Sequence, residues 1–219
     1  MKKPMTSSPA SGASARATYR HGDLHRALLE AGVELARAGG PEAVVLREAT
    51  RRAGVVPNAA YRHFASRQAL LQAVRAAALA AVARAMEAEL AALPPTSDPA
   101  ACARAGVRAV GTGYLRFARA ETGLFRTAFA TPVEVDAAPP EAKGGASGLN
   151  PFELLGAALD RLVEAGAMAP ERRPGAEFLA WSAVHGLALL GIDGPLRGLP
   201  LPQAQALGQR LLDMVEKGL

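Results

Sequence analysis

The sequence is short of several features, and each shortage excludes a class of protein. Its 219 residues contain a single cysteine, Cys102, so no disulfide can form within the chain and a reducing cytoplasm is the expected compartment. The stretch from Met1 to Ser14 lacks the apolar core of a secretion signal, and no apolar run reaches the roughly 18 residues that span a bilayer. We therefore expect a cytoplasmic protein without a membrane partner.

Aromatic residues and strand-like patterns are also scarce. Only 5% of the residues are Phe, Trp or Tyr, and almost no stretch alternates between apolar and polar residues with a period of two. Alanine supplies much of the 50% hydrophobic content, and alanine favours helix. The sequence thus predicts an all-α fold.

The positive charge is unevenly distributed along the chain. Residues 1–75 contain 12 Lys or Arg against 5 Asp or Glu, whereas the remainder contains 13 against 15. A basic N-terminal part is the electrostatic footprint expected of a DNA-binding module. The alternative is a solvated basic face that has no partner.

The stretch from Leu46 to Arg67, LREATRRAGVVPNAAYRHFASR, predicts two short helices joined by a tight turn. Apolar or small residues at helical spacing give the first helix one buried face. Gly54 accepts the left-handed backbone of a helix end, and Pro57 suits the first position of the next helix, which we expect to run to Phe64. Ser66 is the expected N-cap of a third helix.

The second helix of this pair carries polar residues that suit a DNA groove. Asn and Arg make paired hydrogen bonds to base edges, and Tyr, His and Arg bind phosphate. Ala59 has a small side chain, so the backbone of the helix can approach the duplex closely. The alternative is an ordinary turn between two core helices.

The segment GVVPNAAYRHFASRQALL resembles the recognition-helix motif of the TetR (tetracycline-repressor-like) transcription regulators. The positions in register are Gly54, Val55, Tyr61, His63, Phe64, Arg67 and Leu70. Val56 stands where that family usually has a capping Ser, Val45 where it commonly has a capping Thr, and Arg67 where it usually has Lys. The resemblance implies a three-helix helix-turn-helix module followed by a larger helical domain for ligand binding and dimerisation.

We divide the chain accordingly into a mobile arm (1–18), a DNA-binding domain (19–65) and a helical ligand-binding and dimerisation domain (66–219). The candidate DNA contacts are Asn58, Tyr61, Arg62, His63 and Arg67, with Arg20, Arg47 and Ala59 as secondary candidates. In the larger domain, helical periodicity predicts helices over 66–93, 100–120, 122–130, 151–166, 176–190 and 203–217, and a mobile loop over 131–149.

The few aromatic residues predict either a ligand cavity or the packed core of an alanine-rich domain. They are concentrated in Tyr114, Phe117, Phe125, Phe129, Phe152, Phe178 and Trp181. The candidate ligand-binding residues are Tyr114, Phe117, Phe125, Phe129, Trp181 and His185. We expect a mostly apolar or aromatic small molecule as the effector.

The helix predicted over 176–190 is apolar nearly all round, which indicates burial against a second copy of the chain. Within it, Trp181, His185 and Gly186 resemble the Trp…His-Gly motif of one TetR C-terminal subfamily, as does GLFRTAF from Gly123 to Phe129. The expected protein is a homodimeric repressor that binds a near-palindromic operator and is released by its effector.

Two other functions stay open at this level. A DNA-bound adaptor without an effector would use the aromatic residues only as core. An enzyme could use Ser182 and His185, which lie one helical turn apart, but no third group that would orient His185 is apparent. We expect no enzyme activity and no cofactor. We also expect no metal site, because His21 and His25 alone are too few ligands to hold a metal ion.

Overall fold

Proline, glycine and capping residues divide the alanine-rich chain into helices. The computed structural model describes residues 21–130 and 143–219, and this part of the chain contains nine α-helices and no strand. They are α1 His21–Gly39, α2 Leu46–Arg52, α3 Pro57–Ala60, α4 Arg67–Ala91, α5 Pro99–Ala120, α6 Thr122–Ala128, α7 Pro151–Glu164, α8 Ala176–Ile192 and α9 Leu201–Gly218. Short 3-10 helices at Pro41–Ala43 and Pro170–Arg172 precede α2 and α8. The predicted all-α fold is confirmed, while the predicted arm over 1–18 lies outside the described residues.

The turn between α2 and α3 forms as its sequence predicts. Gly54 has a φ of 68°, and its N–H donates to the carbonyl of Arg51 at 3.3 Å. The next N–H, that of Val55, donates to the carbonyl of Thr50 at 3.1 Å, which completes a Schellman motif. The side chain of Val55 packs against the core, so backbone hydrogen bonds and side-chain packing both hold the turn.

Helix α3 is shorter than predicted. It was expected to run to Phe64, but the α-helical backbone ends at Ala60. The N–H groups of His63 and Phe64 both donate to the carbonyl of Ala60, at 2.9 Å each, so the chain tightens into turns after one helical turn. Ser66 then caps α4 by accepting a hydrogen bond from Ala69 N, as predicted.

The N-terminal module shares its hydrophobic core with the first turns of α4. Leu28 of α1, Ala60 of α3 and Leu70 of α4 have no exposed surface. A Cβ atom on Gly32 would lie 2.6 Å from the side chain of Val74, so α1 and α4 approach each other closely. The module is therefore packed onto α4 rather than tethered by a flexible linker.

The larger domain is built around α5, which packs against α4, α7, α8 and α9. Helix α6 lies against both α1 and α4, so it contacts both parts of the molecule. Helix α7 begins with a capping box in which Asn150 Oδ1 accepts from Glu153 N and the Glu153 carboxylate accepts from Asn150 N. The helix thus begins at Pro151, the first residue of the helix predicted over 151–166.

The segment before α7 is tied to α4, which corrects part of the predicted mobile loop. The described residues of that loop are 143–149, and 131–142 lie outside the description. The carboxylate of Glu87 accepts hydrogen bonds from Ala146 N at 2.7 Å, Ser147 N at 2.8 Å and Ser147 Oγ at 2.6 Å. Burial opposes the ionisation of Glu87, but these hydrogen bonds outweigh it and hold its pKa below the ordinary value.

Helix α4 is, among the described residues, long and apolar enough to cross a membrane by length and composition. Its most apolar window has a mean hydropathy of 1.4, and 44% of that window is buried inside the fold. It packs against α1, α5, α6 and α7. This is the environment of a core helix, which passes the same length and composition test.

The N-terminus of α2 offers a test of helix capping. Val45 occupies the N-cap position with an extended backbone, makes no side-chain cap bond and is 43% exposed. Val45→Thr keeps the shape of the side chain and adds an acceptor for the free N–H groups of the first turn. We expect the free energy of unfolding to rise by about 0.5–1 kcal/mol in urea denaturation. Val45→Ala is the matched control, since it adds no acceptor; equal stability of the Thr and Ala variants would contradict the prediction.

Candidate functional site

The polar residues of the α3 region face solvent, and two apolar residues hold that region to the core. Ala60 has no exposed surface and Phe64 is 4% exposed, whereas Tyr61 is 58% exposed. The side chains of Asn58 and Arg62 are exposed as well. This part of the predicted DNA surface is therefore displayed outward.

Histidine rings fix the position of the segment that follows α3. The ring of His25, on α1, stacks on Phe64 with centroids 4.7 Å apart. It also meets the ring of His63 edge to face at 6.2 Å. His63 and Ala59 are both half-buried, so each offers only part of its surface to a partner.

The arginines in and near α2 and α3 fall into two groups, those whose side chains bond to other groups of the protein and those whose side chains do not. Arg51 and Arg52 bind the carboxylate of Glu48, and the hydrogen bond from Arg51, opposed by desolvation, lowers the pKa of Glu48 to about 2. Arg67 donates to the carbonyl oxygens of Val44 at 2.8 Å and Pro41 at 2.9 Å. Its guanidinium thus positions the N-terminus of α4 in addition to any contact with a partner.

Arg47 and Arg62 form the second group. Both side chains are exposed, and within residues 21–130 and 143–219 neither has a hydrogen bond or an ion pair. An exposed guanidinium without an internal counter-ion is available to a phosphate or a base edge. Arg20, the remaining candidate, lies outside the described residues.

A cavity of about 400 Å³ lies in the larger domain, between α4, α5, α7, α8 and α9. This volume falls in the lower part of the roughly 300–1,000 Å³ range of small-molecule sites. The described residues that line it are Arg75, Leu79, Met86, Val107, Val110, Gly111, Tyr114, Phe129, Lys143, Asn150, Pro151, Phe152, Leu155, Phe178, Ala180, Trp181, Val184, Leu212 and Val215. Its walls are mostly apolar.

Three of the six predicted ligand-binding residues line this cavity, and the rings of two more pack against them. Tyr114 lies 5.2 Å from Phe125 and 5.6 Å from Phe129, measured between ring centroids. The ring of His185 is 5.1 Å from Phe129 and 5.6 Å from Trp181. Tyr114, Phe129 and Trp181 line the cavity, and Phe125 and His185 support them from behind.

Phe117, like Phe125 and His185, does not line the cavity. It is buried on α5, with 8% of its surface exposed. It lies one helical turn beyond Tyr114 on α5 and fills the core.

A chain of hydrogen bonds connects α5 with α8 in the cavity wall. Trp181 Nε1–H donates to Tyr114 Oη at 3.1 Å, and Tyr114 Oη lies 2.7 Å from His185 Nδ1. Burial raises the pKa of Tyr114 and lowers that of His185, so both groups are neutral near pH 7. The bond between Tyr114 Oη and His185 Nδ1 therefore joins two neutral groups.

Polar and charged cavity residues were missed by the sequence analysis. Arg75, Lys143 and Asn150 line the cavity, together with Phe152 and Phe178, which were recognised as part of the aromatic set but not as ligand contacts. A signal existed for Arg75, because it interrupts an otherwise apolar stretch of α4. No local pattern marks Lys143, which reaches the cavity through the segment held by Glu87.

Helix α8 has one buried face and one exposed apolar face. The buried residues Ala176, Ala180, Val184, Ala188 and Ile192 recur every four positions. The opposite side exposes large apolar residues: Phe178, Leu179, Leu189 and Leu190. Ser182 is exposed on this helix, and His185 Nδ1 bonds to Tyr114 Oη.

Two family profiles match the chain over most of its length. The profile of bacterial regulatory proteins of the tetR family matches residues 28–74, and that of the tetracyclin repressor-like C-terminal domain matches residues 107–215. The chain belongs to the TetR family. As members of this family bind DNA and regulate transcription, this TetR-family protein is a DNA-binding regulator with an N-terminal helix-turn-helix module.

Solved structures share the fold of this TetR-family protein. A protein of unknown function from Rhodococcus sp. RHA1 is 26% identical, with a TM-score of 0.73, covering 93% of this chain and 99% of that one. The TetR-family regulator PfmR from Thermus thermophilus is 21% identical, with a TM-score of 0.56 and coverages of 88% and 95%. A TetR variant from Acinetobacter baumannii AYE, in complex with minocycline, is also 21% identical, with a TM-score of 0.54 and coverages of 87% and 93%. The comparison with curated proteins finds no match.

The hydrogen-bond chain in the cavity wall can be tested with Tyr114→Phe. This substitution keeps the ring but leaves Trp181 Nε1–H and His185 Nδ1 without their partner in a partly buried site. We expect the free energy of unfolding to fall by about 1–2 kcal/mol in chemical denaturation. Tyr61→Phe, at an exposed tyrosine, is the matched control and should change stability by less than about 0.5 kcal/mol. A Tyr114→Phe variant as stable as the parent would show that the chain of hydrogen bonds does not stabilise the domain.

Proposed function

We propose that this TetR-family protein is a cytoplasmic homodimeric repressor that leaves a near-palindromic operator when a small, mostly apolar molecule enters the cavity of its larger domain. The observation that carries the proposal is the pairing of an outward-facing α3 region with a separate apolar cavity, joined by α4. A surface for DNA and a site for an effector in one rigid chain are the two parts that ligand-controlled repression requires.

The DNA contacts proposed are the exposed residues of the α3 region and the two arginines without internal carboxylates. Asn58 and Arg62 read base edges, while Arg47 and Tyr61 bind phosphates. Arg67 contributes mainly by fixing α4 against the segment around Val44. His63 and Ala59, half-buried, shape the approach of the backbone to the groove.

Dimerisation through α8 and α9 follows from their exposed apolar surface. Leu179 is 68% exposed, and Met214 on α9 is 60% exposed. A Cβ atom on Gly186 would meet nothing within 4 Å, so a partner helix can approach the backbone of α8 closely at this position. Two such pairs of helices would form a four-helix interface about a two-fold axis, and two α3 regions would then read two half-sites.

Coupling between cavity and DNA surface runs through α4 and α6. Helix α4 begins at the DNA module and carries the cavity residues Arg75, Leu79 and Met86. Helix α6 carries Phe125, whose ring packs against that of the cavity residue Tyr114, and α6 also packs against α1. An effector that fits the cavity only when these helices shift would favour the spacing of the two modules that does not match the operator.

Selection of bound fragments from random duplex DNA tests this function. We expect recovery of an inverted repeat whose half-site centres are separated by about one helical turn or a multiple of it, because the dimer presents two copies of α3. Recovery of no preferred sequence would overturn the repressor proposal, and recovery of single, unrepeated sites would overturn the dimer.

Arg62→Ala should weaken binding to the selected site by about 1–3 kcal/mol for each half-site and relax the base preference there, because one base-edge contact is lost. Fluorescence anisotropy at fixed salt measures the loss. Arg104→Ala is the matched control: it removes the same charge from an exposed position on α5 and should bind like the parent. Equal affinity of the Arg62 and Arg104 variants would contradict the groove contact.

Leu179→Glu should convert the dimer into monomers at micromolar concentration, since it places a charge in the proposed apolar interface. Sedimentation velocity measures the mass in solution, and circular dichroism checks that the helices remain. Ala88→Glu, at an exposed position on α4, introduces the same charge outside that interface and should stay dimeric. A dimeric Leu179→Glu variant would place the interface elsewhere.

A further inference from the structure

A second concavity, the α9 groove, lies outside the cavity described above. Its walls are α5, α6, the second half of α8, the link at residues 193–200 and the first half of α9, and its volume is about 990 Å³. This volume is at the upper end of the roughly 300–1,000 Å³ range of small-molecule sites. Among the described residues, none lines both spaces, so the α9 groove is a separate place for a ligand.

The link between α8 and α9 is folded against the groove by hydrogen bonds. The N–H of Leu196 donates to the carbonyl of Leu190 at 3.1 Å, and the N–H of Leu199 donates to the carbonyl of Leu196 at 3.0 Å. From α5, Arg119 donates an Nη2–H to the carbonyl of Leu199 at 3.1 Å. Backbone bonds and a side chain of α5 thus hold this wall of the groove in one shape.

Arginine is the only charged residue type among the described residues that line the α9 groove. There are four arginines and no Asp, Glu or Lys. Two of them, Arg116 and Arg126, pair with carboxylates that do not line the groove. Arg119 bonds to the carbonyl of Leu199, and Arg197 is exposed and makes no hydrogen bond or ion pair within residues 21–130 and 143–219. Two guanidinium groups at the link therefore lack a carboxylate partner in this part of the chain.

The rest of the α9 groove is largely aliphatic. Six leucines and one isoleucine line it, and no aromatic side chain is among its described lining residues. The other cavity, in contrast, is lined by Tyr114, Phe129 and Trp181. A surface of leucine side chains next to unpaired guanidinium groups matches a flexible aliphatic chain that ends in an anion.

The proposed dimer surface lies on another side of α8. Ala188 and Ile192 line the groove, whereas the exposed Leu179 and Leu190 do not. Leu190 is two positions from Ala188, which is about 200° around a helix of 3.6 residues per turn. A two-fold interface centred on the groove would bring two basic surfaces together, which charge repulsion disfavours. A small anion therefore fits the groove better than a second copy of the chain.

We propose that the α9 groove binds an unbranched aliphatic acid, with its carboxylate held by Arg119 and Arg197 and its chain laid against the leucines of α5, α8 and α9. This site goes beyond the proposed function, which places an effector in the other cavity. A guanidinium matches a carboxylate through parallel N–H···O bonds, and such charge-assisted bonds are stronger than neutral ones.

Photo-crosslinking locates the ligand. The probe is a decanoate that carries a diazirine near the end of its chain, and mass spectrometry of the digested protein identifies the labelled residues. We expect labels within residues 187–209. The concentration of a competitor that halves this labelling measures affinity for the groove alone. Decanoate should compete at a concentration about tenfold or more below that of decanamide, because the two differ mainly in charge near pH 7.5, where the acid is ionised.

Two variants assign the carboxylate contact. Arg119→Gln and Arg197→Gln should each weaken competition by decanoate about threefold or more, while competition by decanamide stays within about twofold of the parent. Arg197 has no bond within the described residues, so its replacement removes no contact of the fold and remains informative if Arg119→Gln loosens the link. Arg104→Gln, at an exposed position on α5 that does not line the groove, is the control and should behave like the parent.

Each contrary outcome overturns the inference and leaves the DNA-binding function to be judged by the selected operator. Absence of labels from residues 187–209 would show that the acid does not enter the groove, whether it binds only in the other cavity or a second copy covers the site. Equal competition by decanoate and decanamide would show that the groove does not recognise the carboxylate. Unchanged competition in both arginine variants would exclude these two residues as its partners.

Discussion

Helix α4 contributes buried residues to a hydrophobic core that continues from the helix-turn-helix module into the larger domain, and the rest of the molecule depends on this continuity. Its first turns contribute Leu70 and Val74 to the core of the helix-turn-helix module, and Met86, further along, lines the cavity. Its 25 residues form one uninterrupted helix, roughly 37 Å long at 1.5 Å per residue. In the function proposed above, α4 carries a shift of the cavity walls to the DNA surface, because an uninterrupted helix moves as a unit. Arg67 strengthens the junction by bonding to the carbonyls of Pro41 and Val44.

Helix α6 is a second connection between the cavity and the helix-turn-helix module, and this connection depends more on close packing than on ion pairs. A Cβ atom on Gly123 would lie 2.3 Å from the carbonyl oxygen of Ala36, so only glycine lets α6 approach the end of α1 this closely. The nearby pair between Arg37 and Glu121 spans the same junction, but its side chains are 43% and 31% exposed, so solvent screens it. Phe125, on the other side of α6, has no exposed surface and touches the rings of the cavity wall. Backbone contact and ring packing thus join the cavity to the DNA module.

Local features of the chain were predictable where neighbouring residues determine them. The helix end at Gly54, the N-cap at Ser66 and the beginning of the helix predicted from residue 151 each depend on residues close together in the sequence, and each is confirmed. The length of α3 was not predictable in this way, because Ala60 and Phe64 are buried in a core to which residues distant in the sequence contribute. Nor could the sequence distinguish Arg62 from Arg67: both are basic residues in one motif, and only their spatial neighbours differ.

By the sequence alone, periodicity, caps and the unequal distribution of charge predicted helices throughout and a basic N-terminal module, and the motif from Gly54 to Leu71 carried the family resemblance. These properties depend on residue type and short-range spacing, which a sequence displays directly. Tertiary structure decided which residues share a site: it placed Phe117 in the core, brought Arg75 and Lys143 to one cavity, and linked Tyr114, Trp181 and His185 by hydrogen bonds. Residues on different helices, up to 71 positions apart in that last set, meet only because several helices pack around α5, and no local pattern encodes that meeting.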